Sequence, residues 1–412
     1  MQPGNARLVL LFFLGTLSAF GPFVMDMYLP ALPELAACFA APASAVQLSL
    51  TSGMIGLAAG QLVFGPLSDR HGRRATLMAC LVLFLMATAG CLFSRSIGQF
   101  VVLRFAQGMA GAGGVVVSRS IAADRYSGQR LTSTLAIVSS INGVATVAAP
   151  VAGGMMAAVG GWREIFWALF ALGVVLLLMC YGFDESLPRG RRCSSGWRQL
   201  GYGFSAVLRN RVYVLHTLQY GSTMVVLFAN IASAPFLMQG RYGLSPQAFS
   251  LCFGANAVAM VLASAAAARF HSMERLLRLG GRAMPALSLL LLGALSLGAG
   301  FWVYEALLFL LMAALGLTQT AASTQAMASE RGNAGTASAL LGASGFAFGG
   351  LVSPLVGLGD PAVTTGLLFV GGSLLTWALT RRRLPAASGP AVCVPVESVR
   401  EKGPDAGPNG VL

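Results

Sequence analysis

Apolar residues run for about 20 positions at a time along nearly the whole chain, broken by short clusters of Arg, Asp, Gly and Pro. At about 1.5 Å rise per residue, a helix of that length crosses a hydrocarbon core of about 30 Å. Alternation of apolar and polar positions is absent, and in lipid the backbone groups must pair within each segment, so the runs are helices rather than strands. The pattern predicts an all-α membrane protein with twelve transmembrane helices, at 8–29, 46–67, 75–93, 97–120, 132–159, 165–183, 212–238, 249–268, 283–301, 306–328, 335–357 and 362–379. The first run follows Arg7 as a secretory signal would, but it is too long, and Pro30 and Pro33 stand where a small-residue cleavage site would be needed. It is expected to be retained as the first helix.

The polar segments organise these helices. An Arg-rich stretch at 184–211, with Gly and Ser, divides the chain into six spans at 1–183 and six at 212–380, and the tail at 381–412 carries too little apolar area to fold. With the amino terminus in the cytoplasm, most of the 27 basic residues fall inside: Arg7, Arg70, Arg73, Arg74, Arg125, Arg130, the linker arginines, those from Arg269 to Arg282, Arg331, and the tail. Only Arg95, Arg163 and Arg241 fall outside, and Arg104 and Arg119 lie within a span. The excess of inside charge places both termini in the cytoplasm and requires an even number of spans.

Composition agrees. At 56% hydrophobic and 10% charged, 412 residues carry too little polar surface for a soluble protein of this size. The net charge of +13 is dispersed over short loops rather than gathered on one face, which excludes nucleic acid as a partner. Seven cysteines without CxxC spacing indicate neither a metal site nor a disulfide frame, and no cofactor motif is present.

The stretch GQLVFGPLSDRHGRR from Gly60 joins the second and third spans and holds Arg70, Arg73, Arg74 and His71 beside Asp69. That cluster is expected in water, with Gly65, Pro66 and Gly72 stopping the helix to make a short, stiff hinge. An ordinary topology-fixing loop would explain the arginines but not the ordered Gly, Asp and Gly between them. Gly65, Leu67, Asp69, Arg70, Gly72, Arg73 and Arg74 closely resemble the signature loop of the major facilitator superfamily. The resemblance implies two six-helix halves around a cavity that opens alternately to each side. The second-half counterpart, from Arg269 to Arg275, keeps the charge but not the Gly and Asp pattern.

Charged residues inside a bilayer are costly and are functional candidates. Asp26, near the outer end of the first span, and Arg104, about 10 Å into the fourth, fall at comparable depth. An Asp facing an Arg in a low-dielectric cavity toggles between paired, protonated and substrate-bound states, as proton coupling needs. The competing reading puts Asp26 at the interface, capping its helix end. Glu34 and Glu305 are expected at the interface, and Arg119 snorkelling to the cytoplasm.

A narrower resemblance rests on DMYLPALPEL from Asp26, Arg104-Phe-Ala-Gln-Gly, the run from Ala334 to Gly342, Ser233-Ala-Pro-Phe through Tyr242-Gly, and Phe253-Gly-Ala-Asn. These patches resemble the Bcr/CflA branch of drug/proton antiporters, which includes bicyclomycin and chloramphenicol exporters. The resemblance implies Asp26 as the proton-linked carboxylate and Arg104 as its partner. Some relatives carry a further acid two turns earlier, where this chain has Ser18.

In the fifth span, Ala149-Pro150-Val-Ala-Gly153-Gly154 is similar to the antiporter motif of drug exporters, with Ala136, Ala145 and Ala149 where that motif has Gly. Pro150 would kink the helix and the small residues would admit close neighbours; plain helix packing is the alternative. Asp124 is expected to contact Arg73, with Asp69 aimed at the amino end of the eleventh span near Gly335, locking the outward-open state. Two solvated loop charges would contribute little.

Asn142, Tyr220, Met224, Asn230, Asn256, Gln319 and Gln325 are candidates to line the cavity, as is Met260, or else to join helices by hydrogen bonds. Few fixed charges and soft Met side chains suit varied hydrophobic ligands better than sugars or phosphates. The expected function is proton-coupled efflux of small hydrophobic drugs across a bacterial inner membrane, by a monomer whose partners are substrate, protons and lipid bilayer. A same-fold carrier of one metabolite, for export or uptake, is the alternative. A receptor or membrane enzyme would need a soluble domain or a nucleophile with its base, and His71, His216 and His271 have no evident partners.

Overall fold

The computed structural model describes residues 3–126, 128–188, 204–267, 270, 272–330 and 334–382. Among them are twelve helices long and apolar enough to cross a membrane. The first half holds α1 (Pro3–Asp26), a short α2 (Leu32–Cys38), α3 (Ala43–His71), α4 (Arg73–Leu92), α5 (Ile97–Arg125), α6 (Gly128–Gly160) and α7 (Trp162–Tyr181). The second holds α8 (Arg211–Pro235), α9 (Pro246–Ala267), α10 (Met273–Ser296), α11 (Phe301–Ser329), α12 (Ala334–Val352) and α13 (Pro361–Arg381). Most of the expected linker, at 189–203, and the tail from 383 lie outside the described residues, while 204–209 is helical.

Two boundaries differ from expectation for local reasons. α1 stops at Asp26, and the chain continues through a 3-10 turn at Leu29–Ala31 into α2, because Pro30 and Pro33 cannot donate to a continuing helix but suit its first turn. Gly65 and Pro66 do not stop α3, which continues to His71. Only Gly72, with φ of 100°, separates α3 from α4, since a side chain there would be strained. Asp69 and Arg70 therefore ride on the last turn of one helix, and Arg73 and Arg74 on the first turn of the next.

The halves repeat one packing scheme. In the first, α1 packs on α6, α3 on α5 and α4 on α7; in the second, α8 packs on α12, α9 on α11 and α10 on α13. The halves meet through α3 with α12 and α6 with α9. Large apolar side chains such as Phe12, Met86, Val102, Leu251, Leu262 and Trp302 are exposed on the outer surface, as a lipid-facing wall requires.

Closure is uneven along the axis. At the end remote from the linker, the Gln47 amide donates to the Ala232 carbonyl (3.3 Å) and the Gln239 amide to the Pro30 carbonyl (2.8 Å), tying the halves together. Gly357 abuts Ser44 there, and the α3–α12 contact extends to Gln61 and Gly342. Among the described residues, no hydrogen bond or ion pair joins the halves at the linker end.

Candidate transport site and gating elements

Asp26 is the last residue of α1 and only 9% exposed. It borders a cavity of about 60 Å³ between the halves. Thr146 of α6 is the other first-half lining residue; Asn230 of α8, Asn256 and Met260 of α9, and Met312 of α11 face them among apolar side chains. The Asn230 amide donates weakly to the Met312 sulfur (3.8 Å) and that of Asn256 to the Glu305 carboxylate (2.9 Å), while the Oδ1 atoms of both asparagines are buried without a partner. An acid and two unpartnered acceptors around an apolar, sulfur-lined space can hold a proton, water or a ligand donor. The interfacial reading of Asp26 does not fit this burial.

The expected Asp26–Arg104 pair is not formed. Arg104 is fully buried and donates to the Val24 carbonyl (2.9 Å) and to Gln107 Oε1, whose amide in turn donates to Thr88 (2.8 Å). Its guanidinium lies 4.1 Å from the Tyr28 ring centre and 5.9 Å from that of Phe166. The reason is the end of α1: the last carbonyls of a helix lack partners and carry partial negative charge, so a cation is drawn to Val24 rather than to the carboxylate two residues on. Arg104 thus anchors the helix end that presents Asp26. Tyr28 and Gln107 were not singled out by sequence; a polar residue one turn after a buried Arg was the available signal.

At the linker end, Arg73 is 6% exposed, not in water as expected. Its guanidinium bonds Asp124 (2.9 Å), Asp69 and Ser68 (2.7 Å). The Asp124–Arg73 contact is present as expected, but it lies within the first half and does not itself join the two halves. Asp69 pairs with Arg73, and among the described residues no hydrogen bond or ion pair joins it to α12. Sequence reasoning missed Glu185, whose carboxylate accepts from the backbone N–H groups of Arg73 (2.9 Å) and Arg74 (3.2 Å) at the start of α4. With Ser186 donating to Asp124 (3.0 Å) and Arg125 to the Asp184 carbonyl (3.3 Å), the beginning of the linker is fastened to the hinge. An Asp-Glu pair heading an Arg-rich segment was the signal. Arg74 reaches the Tyr181 carbonyl (2.7 Å), and Arg70 and Arg119 are exposed.

The two glycines of α6 serve different contacts, Gly153 with the end of α1 in its own half and Gly154 with the other half. A side chain on Gly153 would strike the Met27 carbonyl, and one on Gly154 would strike Ser250 and the Pro246 carbonyl of the other half. Pro150 is buried within an unbroken α6.

Of the remaining cavity candidates, Tyr220, Met224 and Gln319 gather one to two turns nearer the linker end, where the Gln319 amide approaches the Met224 sulfur (3.9 Å). Asn142 and Gln325 are half-buried and border no part of the Asp26 cavity. Glu34 is exposed and caps α7 by accepting from the Trp162 N–H (3.0 Å). Glu305, expected at the interface, is 9% exposed, with its carboxylate held by Asn256 within the second half. Five described cysteines are free, Cys193 and Cys393 lie outside the described residues, and no metal-binding cluster occurs among the described residues.

Comparison with known proteins gives a consistent answer. A model of the Major Facilitator Superfamily matches residues 11–354. The chain is 36% identical over 392 residues to an uncharacterized MFS-type transporter of Bacillus subtilis, YdgK, covering 92% of this chain and 98% of that one. It is 26% identical to a bicyclomycin resistance protein homolog of Haemophilus influenzae, covering 93% and 99%. To a chloramphenicol resistance protein of Pseudomonas aeruginosa it is 33% identical over 239 residues, covering 58% and 56%. The fold matches that of the Escherichia coli xylose transporter XylE in a partially occluded inward-open conformation, with a TM-score of 0.69 at 16% identity, covering 90% and 97%.

Proposed function

The chain belongs to the Major Facilitator Superfamily, whose members are transporters and not enzymes, and on that premise we propose that it exports small hydrophobic drugs across the bacterial inner membrane in exchange for protons. The observation that carries the reading is the placement of Asp26, a buried acid with no cation paired to it, on a cavity between the halves lined by Met260, Met312 and apolar side chains together with Thr146, Asn230 and Asn256. Such a lining suits a proton and the apolar part of a cargo better than a sugar, and at about 60 Å³ the space must widen as the halves rock to hold a whole drug-sized molecule. The relatives named for bicyclomycin and chloramphenicol resistance support the direction and class of cargo.

With both termini and the linker cytoplasmic, we read the described conformation as inward-facing, since Gln47, Gln239 and Gly154 close the outer side and, among the described residues, no hydrogen bond joins the halves on the inner. Cargo enters from the cytoplasm or inner leaflet, the halves rock, and a proton from outside takes Asp26 as the cargo leaves. Arg104 acts as a positioning residue for Asp26. One chain encloses the cavity, so a monomer suffices.

A susceptibility panel in an efflux-deficient host tests the reading. Raised resistance to several unrelated hydrophobic drugs is expected, lost with Asp26→Asn. Transport of one polar metabolite and of no drug would establish a single-metabolite carrier instead.

A further inference from the structure

Glu305 lies one turn into α11, about 6 Å from its outer end at helical rise. The antiport reading leaves it without a task. Its Oε1 accepts from Asn256 Nδ2 at 2.9 Å, and its Oε2 is buried with no partner. The other groups around it are the Tyr304 hydroxyl, also unpartnered, the Tyr242 ring stacked 5.4 Å from that of Tyr304, and Cys252 of α9. The cation nearest in sequence to this cluster, Arg241, spends its guanidinium on the Leu295 carbonyl (2.9 Å). A buried carboxylate needs a compensating charge, a set of donors or a proton. Here one donor is supplied, and Oε2 is left for the proton.

Asn256 has two neighbours of interest. It holds Glu305 through its amide nitrogen, and it lines the same cavity as Asp26, with its Oδ1 unpartnered. A single side chain therefore stands between two acids, one carried by each half. Rocking the halves apart on the outer side must move α9 and α11 away from α1, so the surroundings of both acids change in the same step.

We propose that Glu305 is a second proton-carrying carboxylate, joined to the Asp26 cavity through Asn256, so that each cycle moves two protons inward per cargo molecule. This rests on the antiport reading. Glu305 takes its proton on Oε2 while the outer side is open, keeps the Asn256 bond through Oε1, and releases the proton towards the cavity and the cytoplasm once the outer side has closed. No other bond is made or broken.

The test uses full-length protein in proteoliposomes, with chloramphenicol as the probe, an imposed pH difference and the membrane potential clamped at zero. The measured quantity is the probe gradient at which transporter-dependent flux reverses. Two protons per cargo set that gradient at about 100-fold per pH unit, and one proton at about 10-fold. Wild type is expected to follow the steeper dependence and Glu305→Gln the shallower. Glutamine keeps the acceptor for Asn256, so a role confined to joining α9 and α11 would leave the dependence unchanged. Wild type at about 10-fold, or Glu305→Gln still at about 100-fold, overturns the inference while antiport stands. Wild type with no pH-driven gradient overturns both. Probe binding to the purified variant checks its fold, and if it does not fold the wild-type dependence decides.

Discussion

Arg104 is buried without a carboxylate, so its charge is balanced by the Val24 carbonyl, the Gln107 amide and the faces of Tyr28 and Phe166. A planar guanidinium can donate at its edge while stacking on a ring, and an ammonium cannot do both. Arg104→Lys is therefore expected to destabilise the protein by about 1–3 kcal/mol through loss of the stack and one bond, measured as a lower melting temperature in detergent. A melting temperature equal to that of wild type would mean that Arg104 does not anchor the end of α1. For Asp26 the expected outcome is functional: Asp26→Asn mimics the protonated acid, so uphill efflux driven by a pH gradient falls at least to the one-proton dependence that Glu305 alone supplies, while downhill exchange of cargo persists. Vesicles of that variant accumulating cargo with the full wild-type dependence on pH would show that Asp26 carries no coupled proton. Asp26, Asn230 and Asn256 were readable from sequence because each interrupts an apolar run. Glu305 was misplaced because distance from a span end says nothing about which neighbours enclose a side chain. The partner of Arg104 was misassigned because a helix end offers a cation its carbonyls, and sequence does not show where α1 stops.

At the hinge between α3 and α4, burial decides which charge matters. Arg73 and Asp124 expose 7% and 16% of their side chains, whereas Asp69 exposes 50%. Removing one partner of a buried pair costs of the order of 3 kcal/mol, while an exposed partner contributes within about 1 kcal/mol. Asp124→Asn is accordingly expected to lower the melting temperature by several degrees, and Asp69→Asn to leave it nearly unchanged while slowing transport through its effect on interconversion. Equal melting temperatures for the two variants would contradict this ranking, and full transport by Asp69→Asn would leave the loop as a topology signal alone. In α6 the expectation is steric. Gly154→Val collides with Ser250 and Pro246, so the outer side should fail to close, seen as increased labelling of a cysteine placed at Gln47 by an impermeant thiol reagent. The order of Gly, Asp and Arg in this loop was enough to place a tight junction, but its docking onto Asp184–Leu187 depended on contacts between residues more than 100 positions apart.

Across the whole molecule, span count was readable because it follows from local hydropathy, a property of single segments, while sidedness rests on where the arginines fall. The internal repeat was not readable to the same degree. The counterpart of the opening loop lacks its Gly and Asp, with residues 269 and 271 outside the described set, yet the main helix pairings, α1–α6, α3–α5 and α4–α7, recur as α8–α12, α9–α11 and α10–α13. Helices in lipid pair through small side chains whose spacing is common to many faces, so the same packing survives with little sequence identity. Sidedness gives the last prediction. The junction of Arg73, Asp124 and Glu185 lies at the end of the molecule where the chain enters and leaves the Arg-rich segment and where, among the described residues, no hydrogen bond joins the halves. If that end is cytoplasmic, the described state is inward-facing and Asp26 is filled from the opposite side. A chain with its seven cysteines replaced and one restored at Ser195 should resist an impermeant thiol reagent in intact cells and label once the membrane is opened, because that segment lies among arginines retained inside. Labelling in intact cells would invert the molecule, turn the described state outward-facing, and reverse the direction in which Asp26 and the cargo exchange.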